Sequence, residues 1–334
     1  MHFDCFKYTF GPHKIDKFMK LAYLYTTSEL TPWKENVNLE TLAFLISQTP
    51  VEIYTEIVHF EGFNGDMIDK LSRFDLVFNL CYGYQDAGQV EVAGWLQHYG
   101  IKHTASSFDA LTMAQDKSLL PDICAKLDLA TPEVWYGTEI LNDNTLYISK
   151  PRKGSCHRDI HINHGSWMKE NIHPDVDDFI IQPYIPGREF SVAVIPVSGG
   201  KYYHALPPVE IVPEDKNRIF IAGQSFGTTF RDFAPTVAES IIDELMEASE
   251  KLHKLISLKG MSRTDFRVSQ DGTVYVLDVN AMPNMDPVRS LMPNICQYHG
   301  VSITDLITRF IANNDINLDK PKKKSKDNME AFYL

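Results

Sequence analysis

The chain has 334 residues, 44% of them hydrophobic and 23% charged, which is enough for a large core spread over two or three domains. A formal net charge of -12 at pH 7 leaves no general basic field to neutralise phosphates, which argues against a nucleic-acid binder. Scattered cysteines with no C-x-x-C pair argue against both a disulfide framework and a structural zinc site.

The first residues, "MHFDCFKYTFGPHK", have neither a basic start nor a sustained apolar stretch and do not read as a signal peptide. No run approaches the ~18 apolar residues of a membrane span, so the expected location is the cytoplasm. Residues 1–17 lack a clear period and read as an arm. "KLAYLYT" (20–26) is a buried strand, "VNLETLAFLIS" (37–47) has helical spacing, and "VEIYTEIV" (51–58) and "FDLVFNL" (74–80) are further strands. The last runs into the turn "CYGYQDAG" (81–88), and a helix follows over 89–99. Strands alternating with helices predict an α/β fold with an N-terminal Rossmann-like parallel sheet over residues 1–105. Its ligand loops should lie at the strand C-termini.

"SSFDALTMAQDKSLLPDICAKLD" (106–128) is helical, with a break or a second start at Pro121. "LYISKPRKGSCHRDIHI" (146–162) reads as strand, loop, strand. "DFIIQPYIPGREFSVAVIP" (178–196) is two strands divided at Pro186-Gly187, and more strand follows to 213. "PTVAESIIDELMEASEKLHKLISL" (235–258) is an amphipathic helix with Pro235 at its start. A hairpin and two closing helices, 287–299 and 303–313, complete the pattern. The expected units are 1–105, a central segment 106–186, a C-terminal segment 187–316 and a charged, disordered tail 317–334.

The hairpin "RTDFRVSQDGTVYVLDVNAMPNMD" carries the sharpest local signal. Asp271-Gly272 reads as a two-residue type I′ turn. That register sets Phe266 opposite Leu277, Val268 opposite Tyr275 and Thr264 opposite Val279 on an apolar face. The other face then sets Asp265 opposite Asp278 and Arg263 opposite Asn280. Opposed Cβ atoms lie ~5 Å apart, where like charges are destabilising. Something positive belongs between the carboxylates. Mg²⁺, or Mn²⁺, suits two carboxylates plus substrate phosphates; alternatively Arg263 or Arg267 neutralises the pair. The loop after 150 carries Lys150, Arg152, Lys153, Gly154 and Ser155, suited to phosphate oxygens or simply a basic hairpin. His157, His161 and His164 follow it, without a carboxylate or thiolate to complete a metal site.

The order "AQDKSLL", "YISKPRKGS", "IIQPYIPGREFSV", "RTDFRV…VYVLDVNAMPNMDP" resembles the ATP-grasp superfamily, and within it the D-alanine–D-alanine ligase family, over residues 20–313. The resemblance implies a three-domain ATP-grasp fold binding ATP and Mg²⁺. Lys117 and Lys150 would contact phosphates or the adenine edge, and Gly154 and Ser155 would cover the phosphates. Gln182, Pro183, Tyr184 and Ile185 match the adenine linker, although the family usually has Glu where Gln182 stands. Ile148 and Leu277 would sandwich the base, and Glu189 would hold the ribose. Asp265, Asp278 and Asn280 would bind the metal, with Asp278 replacing a longer Glu. Arg263 would stabilise an oxyanion, and Ser290 in "RSLMP" would hold the acceptor's carboxylate. Alone, Lys117 reads as a surface lysine, Glu189 as a strand-edge charge, Tyr184 as a core aromatic, Arg263 as an ion-pair partner and Ser290 as a cap.

The implied reaction joins a small-molecule carboxylate to an amine through an acyl phosphate, with neither nucleic acid nor membrane as partner; a homodimer is compatible. The substrate walls depart from the family. Glu29 or Glu40 could meet the first ammonium, but the preceding glycine pair is missing. The family's "HG..GEDG" loop, which would place Gly83 at the substrate, has become "CYGYQDAG". A family lysine expected near Gln224 is absent. These changes point to other amino acids or a peptide-like product. A non-amine acceptor, a phosphotransferase and a non-catalytic nucleotide-binding module are the alternatives.

Overall fold

Four consecutive residues, Leu21 to Leu24, are fully buried, so the first strand must be covered on both faces. It is β1 (Met19–Tyr25), the centre of a parallel sheet with β2 (Ile53–His59) and β3 (Leu76–Leu80) in the order β2-β1-β3. Leu21 and Tyr23 pack with Leu42 and Leu45 of α1 (Leu39–Gln48). Ala22 and Leu24 pack on the opposite side with Met67 and Leu71 of α2 (Gly65–Leu71) and Leu96 of α3 (Gln89–His98). The computed structural model describes residues 19–27, 37–83, 88–153, 160–172, 179–197, 202–214 and 229–316.

Next come α4 (Phe108–Gln115), a 3-10 turn (Lys117–Leu119) and α5 (Leu120–Ala125), which opens with Pro121 in its first turn. A second sheet has the antiparallel order β5-β4-β6, formed by β4 (Leu146–Pro151), β5 (His161–His164) and β6 (Phe179–Pro183). It is backed by α6 (Gly165–Asn171) through Tyr147, Met168 and Ile181.

The third sheet contains β7 (Arg188–Pro196), β8 (Tyr203–Ala205), β9 (Val209–Pro213), β10 (Thr229–Asp232), β11 (Ser262–Val268) and β12 (Val274–Asn280). Its order is β10-β9-β7-β11-β12, with β8 on β7. The helix α7 (Glu239–Leu255) buries Leu245, Ala248 and Leu252, spaced at helical period, in one core with Phe190, Val192 and Phe266. The closing helices are α8 (Leu291–Tyr298) and α9 (Ile303–Asn313). Phe310 of α9 meets Phe78 of β3 edge-on, so this core is continuous with the first sheet. One face of the large sheet is thereby filled, and the other is left for polar residues.

Two boundaries differ from expectation. Pro235 does not open α7: Arg188 donates to the Thr236 carbonyl, and the helix starts only after Ala238. The segment 287–290 is not helical, because the Asp286 carboxylate accepts the N–H groups of Val288 and Arg289 in a tight turn. The short elements α2, α6 and β10 were not anticipated. No helix among the described residues is long and apolar enough to cross a membrane.

Candidate active site

The hairpin of β11 and β12 sets the site. At its far end the register is Arg263 opposite Asn280, Thr264 opposite Val279 and Asp265 opposite Asp278, as expected. Nearer the turn it differs. Phe266 faces Val276, Arg267 faces Tyr275 and Val268 faces Val274, rather than Phe266 facing Leu277 and Val268 facing Tyr275. The Ser269 N–H donates to the Thr273 carbonyl, so the loop holds three residues, with Gly272 at φ +87. The extra turn residue is offset by a bulge at Leu277 on β12. Burial shows the consequence: Val274, Val276 and Val279 are in the core, while Leu277 and Asp278 are both turned out of it. The bulge moves Leu277 from the core face and aligns the two aspartates.

Arg263 forks onto Asp265, with Nε to Oδ1 and NH2 to Oδ2 both at 2.8 Å. The Ser191 hydroxyl on β7 donates to the same carboxylate at 2.6 Å. Burial alone would lower the Arg263 guanidinium, but Asp265, Asp278 and Glu189 hold it above its ordinary value. The expectation that Arg263 or Arg267 neutralises the aspartates is thus met by Arg263, while Arg267 pairs elsewhere. Two opposed carboxylates and the neighbouring amide of Asn280 form a hard-oxygen donor set that fits Mg²⁺ or Mn²⁺ when phosphates complete it. Among the described residues no group of three His, Cys, Asp or Glu side chains converges. His161 lies tilted against the Trp167 ring and His164 contacts the Asn144 carbonyl, both on exposed positions.

Lys150 projects from β4 and is almost fully buried; its Nζ donates at 3.3 Å to the carbonyl of the bulged Leu277. Burial lowers its pKa to about 8, although Asp278 pulls it upward. Lys117 lies in the 3-10 turn, and its backbone N–H donates to the Arg152 carbonyl. Arg152 in turn forks onto the buried Asp116, with Nε at 2.9 Å from Oδ1 and NH2 at 2.7 Å from Oδ2. Lys117 also lines a cleft with Gln89, Leu111, Gln115, Asp278 and Asn280. The cleft therefore joins the end of α4 to the Asp278–Asn280 end of the hairpin.

Gln182 lies opposite Ile148 on the neighbouring strand. Its side-chain amide donates to the Pro132 carbonyl at 3.0 Å, so its donor is engaged inside the protein. Pro183 and Tyr184 continue the strand end, where the Tyr184 N–H donates to the Leu146 carbonyl, and Ile185 follows, half-buried. Glu189 is buried and ion-paired with Arg267 at 2.6 Å. Arg267 also donates to the Tyr184 hydroxyl and the Gly187 carbonyl, each at 3.3 Å. Its guanidinium lies 5.3 Å from the Tyr184 ring centroid.

Ser290 sits at the N-cap of α8, its hydroxyl making no capping bond. Gly83 turns the chain after β3 at φ +98, and its carbonyl accepts from Gln115. The buried Tyr82 hydroxyl reaches the Pro283 carbonyl at 3.4 Å, linking that turn to the loop after β12. Glu29, Gly154, Ser155, His157 and the segment near Gln224 lie outside the described residues. Sequence reasoning missed Ser191, the Asp116–Arg152 pair and the role of Arg267. The only local hint was the aspartate beside Lys117 in "AQDKS".

A family model described as D-ala D-ala ligase C-terminus matches residues 167–312. The D-alanine–D-alanine ligase of Anaeromyxobacter dehalogenans (strain 2CP-C) is 28% identical over 256 residues, spanning 72% of this chain and 80% of that one. The D-alanine–D-alanine ligase of Desulfotalea psychrophila is 25% identical over 273 residues, with 76% and 81% covered. The D-alanine–D-alanine ligase from Bacillus anthracis complexed with ATP superposes with a TM-score of 0.69 at 20% identity, covering 89% of this chain and 97% of that one. D-alanyl-alanine synthetase A from Vibrio cholerae gives 0.73 at 16% identity, covering 90% and 99%. The fold is the ATP-grasp fold of these ligase structures. Over most of its length the chain is similar to D-alanine–D-alanine ligases, and residues 167–312 match that family's C-terminal model.

Proposed function

We propose that this chain is an ATP-dependent carboxylate–amine ligase that joins amino acids, or a peptide-like metabolite, through an acyl phosphate. One observation carries the reading. Asp265 and Asp278 face each other across a hairpin, with Arg263, Asn280 and the buried Lys150 beside them. The three sheets support dividing the chain at 105 and 186 into three working segments.

Mg·ATP, when bound, supplies an electrophilic phosphoryl group and divalent charge between the carboxylates. Asp265, Asp278 and Asn280 would hold the metal. Lys117 and Lys150 would neutralise phosphate oxygens, and Gly154 and Ser155 are assigned to the covering loop on their motif alone. Ile148 and Leu277 would flank the base, the linker Gln182–Ile185 would read its edge, and Glu189 would take the ribose. Arg263, charged at any working pH, would meet the oxyanion as the amine attacks. Ser290 would hold the acceptor, while Glu29 and Gly83 would border the first substrate.

The test is phosphate release from Mg·ATP with pooled D- and L-amino acids, for the wild type and D278A. Losing a metal ligand removes several kcal/mol of charge stabilisation, so release should need an amino acid and fall about a hundredfold or more in D278A. Release that ignores both amino acids and the substitution would sink the reading.

A further inference from the structure

The two lysines assigned to the phosphates, Lys117 and Lys150, come from separate elements, and each stands beside one member of an ion pair. Lys117 follows Asp116, the residue that ends α4 and caps the 3-10 turn. Lys150 lies near the end of β4, just before Pro151 and Arg152. The Arg152 guanidinium forks onto Asp116, with Nε 2.9 Å from Oδ1 and NH2 2.7 Å from Oδ2. The backbone closes the same contact from the other side, because the Lys117 N–H donates to the Arg152 carbonyl at 2.9 Å. Asp116 is held in turn by the Ser118 N–H at 3.1 Å and by the Ser118 hydroxyl.

This clasp sits where a loose joint would matter. Lys117 is close enough to Lys150 to depress its pKa, so the two ammoniums repel each other. Without a restraint they would separate and meet a polyphosphate in many geometries. A bidentate pair fixes both distance and plane, which a single contact does not. The pair is neutral as a whole, so it holds the lysines without adding charge between them. Asp116 is buried yet ionised: burial raises its carboxyl, but Arg152 and Ser118 together hold it below its ordinary value. Pro151 stiffens the link between Lys150 and Arg152 by fixing φ. The Arg152 side chain keeps 27% of its surface exposed, so the pair adds little to global stability. Its geometry serves the two lysines better than it serves the core.

We infer that Asp116 and Arg152 are positioning residues for the triphosphate: their clasp sets the spacing at which Lys117 and Lys150 meet its oxygens. Both act through the lysines, and neither touches the nucleotide. The inference rests on the ligase reading above and adds to its phosphate site two residues that no motif in the sequence marks.

The experiment measures how the full chain binds the non-hydrolysable β,γ-imido analogue of ATP with Mg²⁺, by calorimetry, and adenosine, by displacement of that analogue. Arg152→Gln and Asp116→Asn should each weaken the triphosphate analogue about tenfold or more, since small misplacements of charged contacts are costly. Asparagine keeps an acceptor for Ser118, so Asp116→Asn preserves the turn. Adenosine has no phosphates and should bind both variants as it binds the wild type. The double variant should bind the triphosphate no worse than either single one, because the two residues act as one unit. Arg152→Lys, which keeps the charge but not the fork, should recover part of the loss. Unchanged triphosphate affinity in either single variant would overturn the assignment, as would an equal loss for adenosine. Additive losses in the double variant would overturn it too, and would make Arg152 a direct phosphate ligand. Failure of the wild type to bind the triphosphate analogue would overturn the ATP-dependent reading itself, an outcome distinct from these.

Discussion

Arg267 of β11 and Glu189 of β7 stand directly opposite each other, and their side chains meet at 2.6 Å with 3% and 5% of their surface exposed. Such a pair is strongly destabilising to break and much less so to replace whole. Arg267→Met should cost about 3–5 kcal/mol, because it strands a buried carboxylate. The double variant Arg267→Met/Glu189→Leu should recover most of that loss in urea denaturation. A single-variant loss near zero would mean the carboxylate finds water or another partner.

Lys150 gives the account a pH signature. Its folded pKa is lowered from 10.5 to about 8 by burial. Between those values the unfolded chain binds more protons, so stability should rise with pH across that window. Phosphate binding should move the other way, since the free enzyme loses the ammonium above pH 8. We expect kcat/KM for ATP to fall about tenfold per pH unit there. Lys150→Arg should push that limb upward, because a guanidinium stays charged. A profile unaltered by Lys150→Arg would remove the lysine from the phosphate site.

Two buried histidines govern the acid side. His103 and His253 are each lowered from 6.5 to about 4 by burial. His253 contacts the Ser262 hydroxyl at 2.7 Å and lies 4.2 Å from the Tyr203 ring, on the face of α7 that meets the core. Below pH 6.5 the unfolded chain takes up protons that the folded chain refuses, so stability should fall as pH drops from 6.5 to 4. Each residue contributes on the order of 3 kcal/mol to that loss. His253→Asn should flatten the slope of Tm against pH over this window, whatever it does to Tm at neutral pH.

Gly187 leads into β7 at φ +157, and a Cβ there would lie 2.1 Å from the Val268 carbonyl oxygen. Backbone cannot yield as a flexible side chain would. Gly187→Ala should therefore cost about 1–3 kcal/mol or more and lower Tm by several degrees. It should also weaken ATP binding, because the Gly187 carbonyl accepts from Arg267.

The pairing of the two aspartates was legible because these residues are close in sequence and alternate on strands. The turn rule supplied the pairing of Asp265 with Asp278, although by compensation: one extra residue in the loop and one bulged residue at Leu277 restore the same register. The partners across the sheet were not legible. Ser191 lies 74 residues from Asp265, and Glu189 lies 78 from Arg267, with no local pattern joining them. Only the order of strands in the sheet brings them together. Likewise β10 is a four-residue edge strand, too short to show alternation, so its pairing with β9 carried no signal in the sequence. Pro235 misled because a helix-start rule cannot see that Arg188 takes the Thr236 carbonyl.

The most direct test of the central claim follows oxygen. Amino acids labelled with ¹⁸O in their carboxyl groups, incubated with the full chain and Mg·ATP, should transfer one labelled oxygen to inorganic phosphate. An amide product of matching mass should appear with it. That transfer is the mark of a carboxylate that attacked the γ-phosphate. Phosphate free of label, with or without condensed product, would contradict an acyl-phosphate ligase.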